Sequence, residues 1–209
     1  MIIIGICGGT ASGKSTLSQE LIKYLNTKNI KSDYLLLDNY YRDLKHLSLE
    51  ERELINFDNP ESVDFELFYQ HLKLLMIGEY VNTPTYSYKT HLRKNKTNRI
   101  GNNDVLIIDG LFILLKKNIR DFFDLTIFLN VDDSIRLERR IKRDVLERNR
   151  SEKEIRERFK KMIKPMHDKF IQPSKIFADI IIENEVNYQK VFKEIEFRFN
   201  EIIQKNKEF

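Results

Sequence analysis

Short apolar runs alternate along the chain with longer stretches in which apolar residues recur every three or four positions. Residues 2–7 and 105–108 are apolar on successive positions, residues 125–131 are apolar except at Thr126 and Asn130, and all three predict buried strands. Residues 34–37 and 180–182 predict two further strands. Between them, residues 15–24, with Leu17, Leu21, Ile22 and then Leu25, have helical spacing, as do residues 65–77 and 135–145. Gly78 suits the end of the second of these helices. Ser151, with Glu154 three positions on, fits a capping box that opens another helix, and a charged amphipathic helix closes the chain. Residues 81–88 and the polar stretch to Arg99 predict a hairpin-type excursion away from the sheet. This alternation is that of a parallel sheet flanked by helices. No repeat, linker or boundary interrupts it, so residues 1–209 are expected to form one α/β domain.

Composition narrows the class. With 41% hydrophobic and 33% charged residues, the chain can build a core and is not expected to be disordered. A lone cysteine, Cys7, excludes a disulfide scaffold or a multi-cysteine zinc site and suits a reducing cytosol. The longest apolar stretch, 105–115, is broken by Asp109 and too short to span a bilayer. No basic leader precedes Ile2, so the expectation is a cytoplasmic protein with no signal peptide and no membrane partner. The net charge of +4 permits polyanionic partners without selecting one, but it is unevenly spread. Residues 136–164 hold thirteen basic and six acidic side chains.

The glycines are also unevenly spread: four of the seven (Gly5, Gly8, Gly9 and Gly13) fall in the first thirteen residues. They belong to Gly8-Gly9-Thr10-Ala11-Ser12-Gly13-Lys14-Ser15, followed by Thr16, which fits the P-loop pattern G-x-x-x-x-G-K-[ST] between a strand and a helix. Glycines let successive N–H groups curl around one anion, and the helix adds its positive end. Lys14 supplies a mobile cation for the β and γ phosphates of ATP or another triphosphate, and Ser15 a ligand for Mg²⁺. Asp109, at the end of an apolar run, is the candidate metal-side carboxylate. Asp38, at the end of the second strand, is placed to take a proton from an acceptor hydroxyl, although aspartate is also a common turn residue. Cys7 needs no role beyond packing.

Further signatures follow in order. They are Leu36-Leu37-Asp38-Asn39-Tyr40-Tyr41, then Asn56-Phe57-Asp58-Asn59-Pro60, then Pro84-Thr85-Tyr86-Ser87-Tyr88-Lys89-Thr90-His91-Leu92-Arg93. After these come Arg139-Arg140-Ile141-Lys142-Arg143-Asp144, Glu147-Arg148-Asn149-Arg150, and Lys164-Pro165-Met166-His167 leading to Pro173-Ser174-Lys175. In order and spacing, from residue 2 to about residue 182, the chain resembles the uridine–cytidine kinase family of P-loop nucleoside kinases, related to phosphoribulokinase.

The resemblance implies a P-loop NTPase-type parallel sheet with a small hairpin insertion at about 80–100 and an arginine-rich helical lid at about 136–164. It implies Asp38 as base on a nucleoside 5′-hydroxyl, Asp58 and Arg140 on the ribose hydroxyls, and Tyr41 in the same pocket. Phe57 and Tyr88 would sandwich a pyrimidine, with Tyr86 and His91 at its exocyclic edge. Arg143 would act in catalysis, Arg148 on ATP and Arg150 on the acceptor. The family further implies a homo-oligomer, commonly a tetramer.

Without the family pattern, Phe57 and Tyr88 read as hairpin packing and His91 as a solvated loop residue. Arg156, Arg158, Lys160 and Lys161 read as a charged helix face with Glu–Arg contacts. The chain also departs from the family. Asp109 replaces the usual glutamate, shortening the reach to Mg²⁺, and Leu37 replaces a common glutamine. Arg158 stands for a substrate-side glutamine, Asn149 for a lid glycine, and 183–186 for an Arg-Gly-rich stretch. Two other readings stay open: a related P-loop kinase with another hydroxyl acceptor (phosphoribulokinase-like or pantothenate-kinase-like), and a nucleotide-dependent nucleic-acid binder.

Overall fold

The computed structural model describes residues 1–101, 103–148, 150–184 and 187–207. Asn149 and, within the divergent stretch 183–186, Glu185 and Val186 lie outside the described residues. The first strand, β1 (Ile2–Gly8), runs through the P-loop into α1 (Lys14–Thr27), and β2 (Ser32–Leu36) follows. Next come α2 (Leu49–Leu54), α3 (Phe65–Met76) and the hairpin of β3 (Val81–Ser87) and β4 (Leu92–Ile100). The chain re-enters the sheet as β5 (Val105–Asp109), then passes through α4 (Lys117–Arg120) to β6 (Leu125–Asn130). The helices α5 (Asp133–Arg148), α6 (Glu152–Arg158), α7 (Lys164–Met166) and α8 (Gln172–Ser174) lead to β7 (Ile180–Glu183) and α9 (Tyr188–Lys207).

The five sheet strands lie in the order β2-β5-β1-β6-β7 and every pairing is parallel. Period-two alternation divides the core between the two faces. Ile2, Ile4 and Ile6 of β1 meet Leu17, Leu21 and Leu25 of α1 on one face. Ile3 and Cys7 meet Leu35, Leu106, Ile108 and Phe128 on the other, over the layer built by α3 and the hairpin. Such burial on both faces is why the runs carry no polar alternation. Because β5 sits between β2 and β1, Asp109 lies in register with Leu36 on one side and Ile6 on the other. The P-loop, Asp109 and the turn that follows β2 therefore emerge together at the carboxyl edge of the sheet, where ligands bind in open α/β sheets.

Local differences from the sequence expectation have local causes. Strand β2 stops at Leu36, so Asp38 sits in a 3₁₀ turn, Leu37–Tyr40, rather than at a strand end. Helix α3 ends in a Schellman arrangement, with Gly78 at φ 83° and the Glu79 N–H donating to the Leu74 carbonyl (3.0 Å). Helix α2 was not anticipated, although Ser48 and Glu51 form a complete capping box. At Ser151 only one half of the expected box is made: Ser151 accepts from the Glu154 N–H (3.2 Å), while the Glu154 carboxylate pairs with Arg150 (3.1 Å). The helical run from α6 to α8 contains two wide π-type turns, Phe159–Ile163 and His167–Ile171. Pro165 and Pro173 follow them, each removing a helix donor. Among the described residues no helix is long and apolar enough to cross a membrane.

Candidate active site

The P-loop owes its shape to two glycines. Gly13 is the residue before α1 and holds φ 99°, a left-handed conformation that costs a side chain dearly. Gly9 is required for close approach, since a Cβ there would strike the guanidinium of Arg136. Arg136 is fully buried, pairs with Asp133, donates from Nε to the Val131 carbonyl (3.0 Å) and lies 5.6 Å from the centre of the Phe159 ring. This arginine, expected as the first residue of a lid, is instead a strut that joins α5 to the underside of the P-loop. The i,i+3 spacing to Asp133 was the signal available for it.

A cleft of about 560 Å³ opens above the loop, within the range of small-molecule sites. Thr10, Ala11, Gly13, Lys14, Ser15 and Thr16 line it, whereas Gly8, Gly9 and Ser12 are packed beneath. Every other residue expected at the site also lines it: Asp38, Tyr41, Phe57, Asp58, Tyr86, Tyr88, His91, Asp109, Arg140, Arg143, Arg148 and Arg150. Six arginines and Lys14 face only three carboxylates there, so the cleft is built for an anion.

At the loop, the Lys14 ammonium donates to the Gly9 carbonyl (3.0 Å). Burial lowers its pKa, while Asp109 and Asp38 act in the opposite sense. The Asp109 carboxylate is fully buried, and burial raises its pKa. Its Oδ2 accepts from Tyr34 (2.8 Å) and Ser18 (3.3 Å), while Oδ1 is buried with no partner among the described residues. Neither Tyr34 nor Ser18 was expected at the site. Unpaired buried oxygens are uncommon, and this one beside Ser15 fits a hard divalent cation. Among the described residues no cluster of three or more His, Cys, Asp or Glu could hold a metal alone. Mg²⁺ takes one or two protein oxygens and completes its shell with phosphate and water.

The side of the cleft expected to take the acceptor is assembled from the turn after β2, the segment before α3 and the hairpin. The Tyr88 hydroxyl donates to Asp38 Oδ2 (3.0 Å), and the Arg148 guanidinium lies 4.5 Å from the Tyr88 ring centre. Tyr88 thus reaches the carboxylate as well as offering a ring to the cleft. Phe57 stacks on His91 at 4.9 Å and 10°, so one face of Phe57 is already covered. His91 is no solvated loop residue: it is 9% exposed, at φ 52°, with Nδ1 buried and without a partner among the described residues. The Tyr86 hydroxyl is in the same condition. These are two polar atoms beside an aromatic slot, each still owed a hydrogen bond.

The arginines divide by contact. Arg140 donates to Thr10 Oγ1 (2.6 Å), pairs with Asp144 (3.2 Å) and lies 3.9 Å from Asp58. Asp144, nearly fully buried, also holds Arg143 (2.8 Å) and Arg148 (3.4 Å). Arg156 makes the expected Glu–Arg contacts, with Glu152 and Glu138, but Arg158 does not. It lines the cleft and donates to the carbonyls of Glu53 (2.8 Å) and Ile55 (3.3 Å), tying α6 to the C-terminal end of α2.

Two buried imidazoles have a consequence for stability. Burial, and then Arg150 and Arg158, hold the His91 pKa down to about 4, and burial with Arg136 does the same for His167. An unfolded imidazole binds its proton near 6.5. Between these values the unfolded chain binds more protons than the folded one, so stability falls as pH drops from about 6.5 towards 4. Thermal unfolding followed from pH 7 to pH 5 should show this loss, with a shallower slope in His167→Gln. An unchanged slope in that variant would remove His167 from the effect.

A P-loop above a parallel sheet, with a buried carboxylate beside it and another facing it across the cleft, fits a phosphotransferase of the P-loop kinase class. The match to known families agrees: residues 3–191 fit the phosphoribulokinase / uridine kinase family, and the chain belongs to that family. It is 40% identical over 186 residues to the uridine kinase of Streptococcus pyogenes serotype M5, covering 89% of this chain and 88% of that one. The uridine kinase of Streptococcus uberis is 41% identical over the same shares of the two chains. Among solved structures, the phosphoribulokinase of Rhodobacter spheroides superimposes with a TM-score of 0.61 at 16% identity, covering 87% of this chain and 69% of that one. A kinase of Silicibacter sp. TM1040 described for a fructose transport system gives 0.71 at 23%, covering 87% and 89%. These structural likenesses show the fold alone, shared by kinases named for different acceptors. The chain is a uridine-kinase-like P-loop enzyme, and its family implies a nucleotide donor.

Proposed function

We propose that the protein transfers the γ-phosphoryl group of ATP to the 5′-hydroxyl of uridine or cytidine. The observation that carries the acceptor is the aromatic slot in which Tyr86 Oη and His91 Nδ1 lie buried and unpaired. A site with such orphaned groups favours an acceptor that pairs them and penalises one that leaves them bare. A planar base with polar edge atoms does this, while a sugar phosphate or an aliphatic alcohol has no flat aromatic ring to fill the slot. Asp58 and Arg140 stand as a donor–acceptor pair for a ribose diol. The arginines face the cleft rather than an exposed stripe, which favours a kinase over a nucleic-acid binder.

On this reading Asp38 accepts the proton of the 5′-hydroxyl as its oxygen forms a bond to the γ-phosphorus. The bond from that phosphorus to the bridging oxygen breaks, and ADP leaves. Lys14 and Arg143 stabilise charge on the transferring group, with Arg148 on the triphosphate. Mg²⁺, held by Ser15 and Asp109, would neutralise charge on the phosphate oxygens. α5 and α6 act as a lid that excludes water from the cleft.

ATP consumption measured against uridine, cytidine, purine nucleosides, ribulose 5-phosphate and pantothenate tests the assignment. Turnover is expected with the two pyrimidine nucleosides. Turnover confined to a sugar phosphate or pantothenate would replace the assignment, and no stimulation by uridine or cytidine would defeat it. His91→Ala should alter the ranking of uridine against cytidine; an unchanged ranking would make His91 structural.

A further inference from the structure

The metal-side carboxylate does not stand alone. Tyr34 lies in register with Ile107 across the parallel β2–β5 pair, and Asp109 is two residues further along β5 on the same face. The Tyr34 phenol spans that two-residue rise, about 6.6 Å, and donates to Asp109 Oδ2 at 2.8 Å. Ser18, on the face of α1 that also carries Ser15, donates to the same oxygen at 3.3 Å. The Tyr34 phenol is the firmer hold on Oδ2, because the single Ser18 proton is shared with the Lys14 carbonyl (3.0 Å), and Oδ1 is left buried without a partner among the described residues. A free carboxylate would rotate and share both oxygens among Lys14, Ser15 and water, whereas one pinned through Oδ2 presents a single oxygen in a fixed direction.

We infer that Tyr34 is a positioning residue for the metal site: its phenol, with the Ser18 hydroxyl, locks Asp109 so that Oδ1 alone is offered to the nucleotide-bound divalent cation. The device suits an aspartate, whose side chain is one methylene shorter than the glutamate it replaces. The inference rests on the kinase reading but not on the identity of the acceptor.

Mn²⁺ serves as the probe. Free Mn²⁺ is measured by its paramagnetic resonance signal in the presence of a non-hydrolysable ATP analogue, for the wild type, Tyr34→Phe and Ser18→Ala. Tyr34→Phe keeps the ring and should weaken Mn²⁺ in the ternary complex roughly tenfold or more, the usual effect of removing a group that orients a metal ligand. Affinity for the analogue in EDTA should stay within about twofold, because Tyr34 acts through the metal ligand. Tyr34→Phe/Asp109→Glu should recover Mn²⁺ affinity, since the longer carboxylate reaches the ion unaided. Wild-type Mn²⁺ affinity in Tyr34→Phe would overturn the inference, as would an equal loss of analogue in EDTA. Should Tyr34→Phe fail to fold, Ser18→Ala carries the same test through the other donor to Oδ2. A wild type that gains no Mn²⁺ on adding the analogue would instead defeat the nucleotide reading itself.

Discussion

Asp38→Asn is expected to lower kcat by at least about a hundredfold, the scale of lost general-base help. The carboxylate stands in the tight turn after β2 and is held by the Tyr88 phenol at 3.0 Å. Asparagine keeps the shape and an oxygen for that phenol, but it cannot take the acceptor proton. The P-loop is untouched, so affinity for a non-hydrolysable ATP analogue should be unchanged, and calorimetric titration alongside single-turnover kinetics separates the two. Near-normal turnover would remove Asp38 from the chemistry.

Lys14→Ala should cost about 10²–10³ in kcat, the range seen when one preorganised electrostatic group is lost. Lys14 is the only lysine lining the cleft among the described residues, and its charge stands against Asp38 and Asp109. On the proposed reading the lysine serves the donor phosphates and not the base, so the factor should be the same for uridine and cytidine. A factor that depended on the acceptor would place Lys14 on the wrong side of the reaction.

Much of this site could be read in the sequence because its chemistry sits at strand ends. A buried run must be a strand, and topology then carries Asp109 and the turn holding Asp38 to the edge where the P-loop begins. Residues 36–41, 56–60 and 84–93 were legible as an acceptor pocket only through the family resemblance, since Phe57, Tyr88 and His91 otherwise read as packing and loop; all three segments reach the cleft. Contacts between distant segments were not legible. Arg136, buried under Gly9, and the solvent-facing Arg156, twenty residues further along an equally charged segment, each have a carboxylate one helical turn back, so that spacing marks both without telling which is buried. Tyr34 is one aromatic in a strand until β5 pairs beside it and brings Asp109 within reach. Arg158 joins Glu53 and Ile55 only because α6 folds back over α2. The helical run after α6 was obscured for another reason: prolines 165 and 173 mark helix breaks in sequence, yet wide π-type turns carry the helix past both.

The central claim is transfer of a phosphoryl group to the 5′-oxygen of a pyrimidine nucleoside. Phosphorus NMR of the product formed from uridine, ATP and Mg²⁺ tests it most directly. The expected product is a phosphomonoester coupled to the two 5′ protons, matching authentic UMP, with none formed by Asp38→Asn over the same interval. A product phosphorylated at the 2′ or 3′ position, or ADP released with only inorganic phosphate, would contradict it.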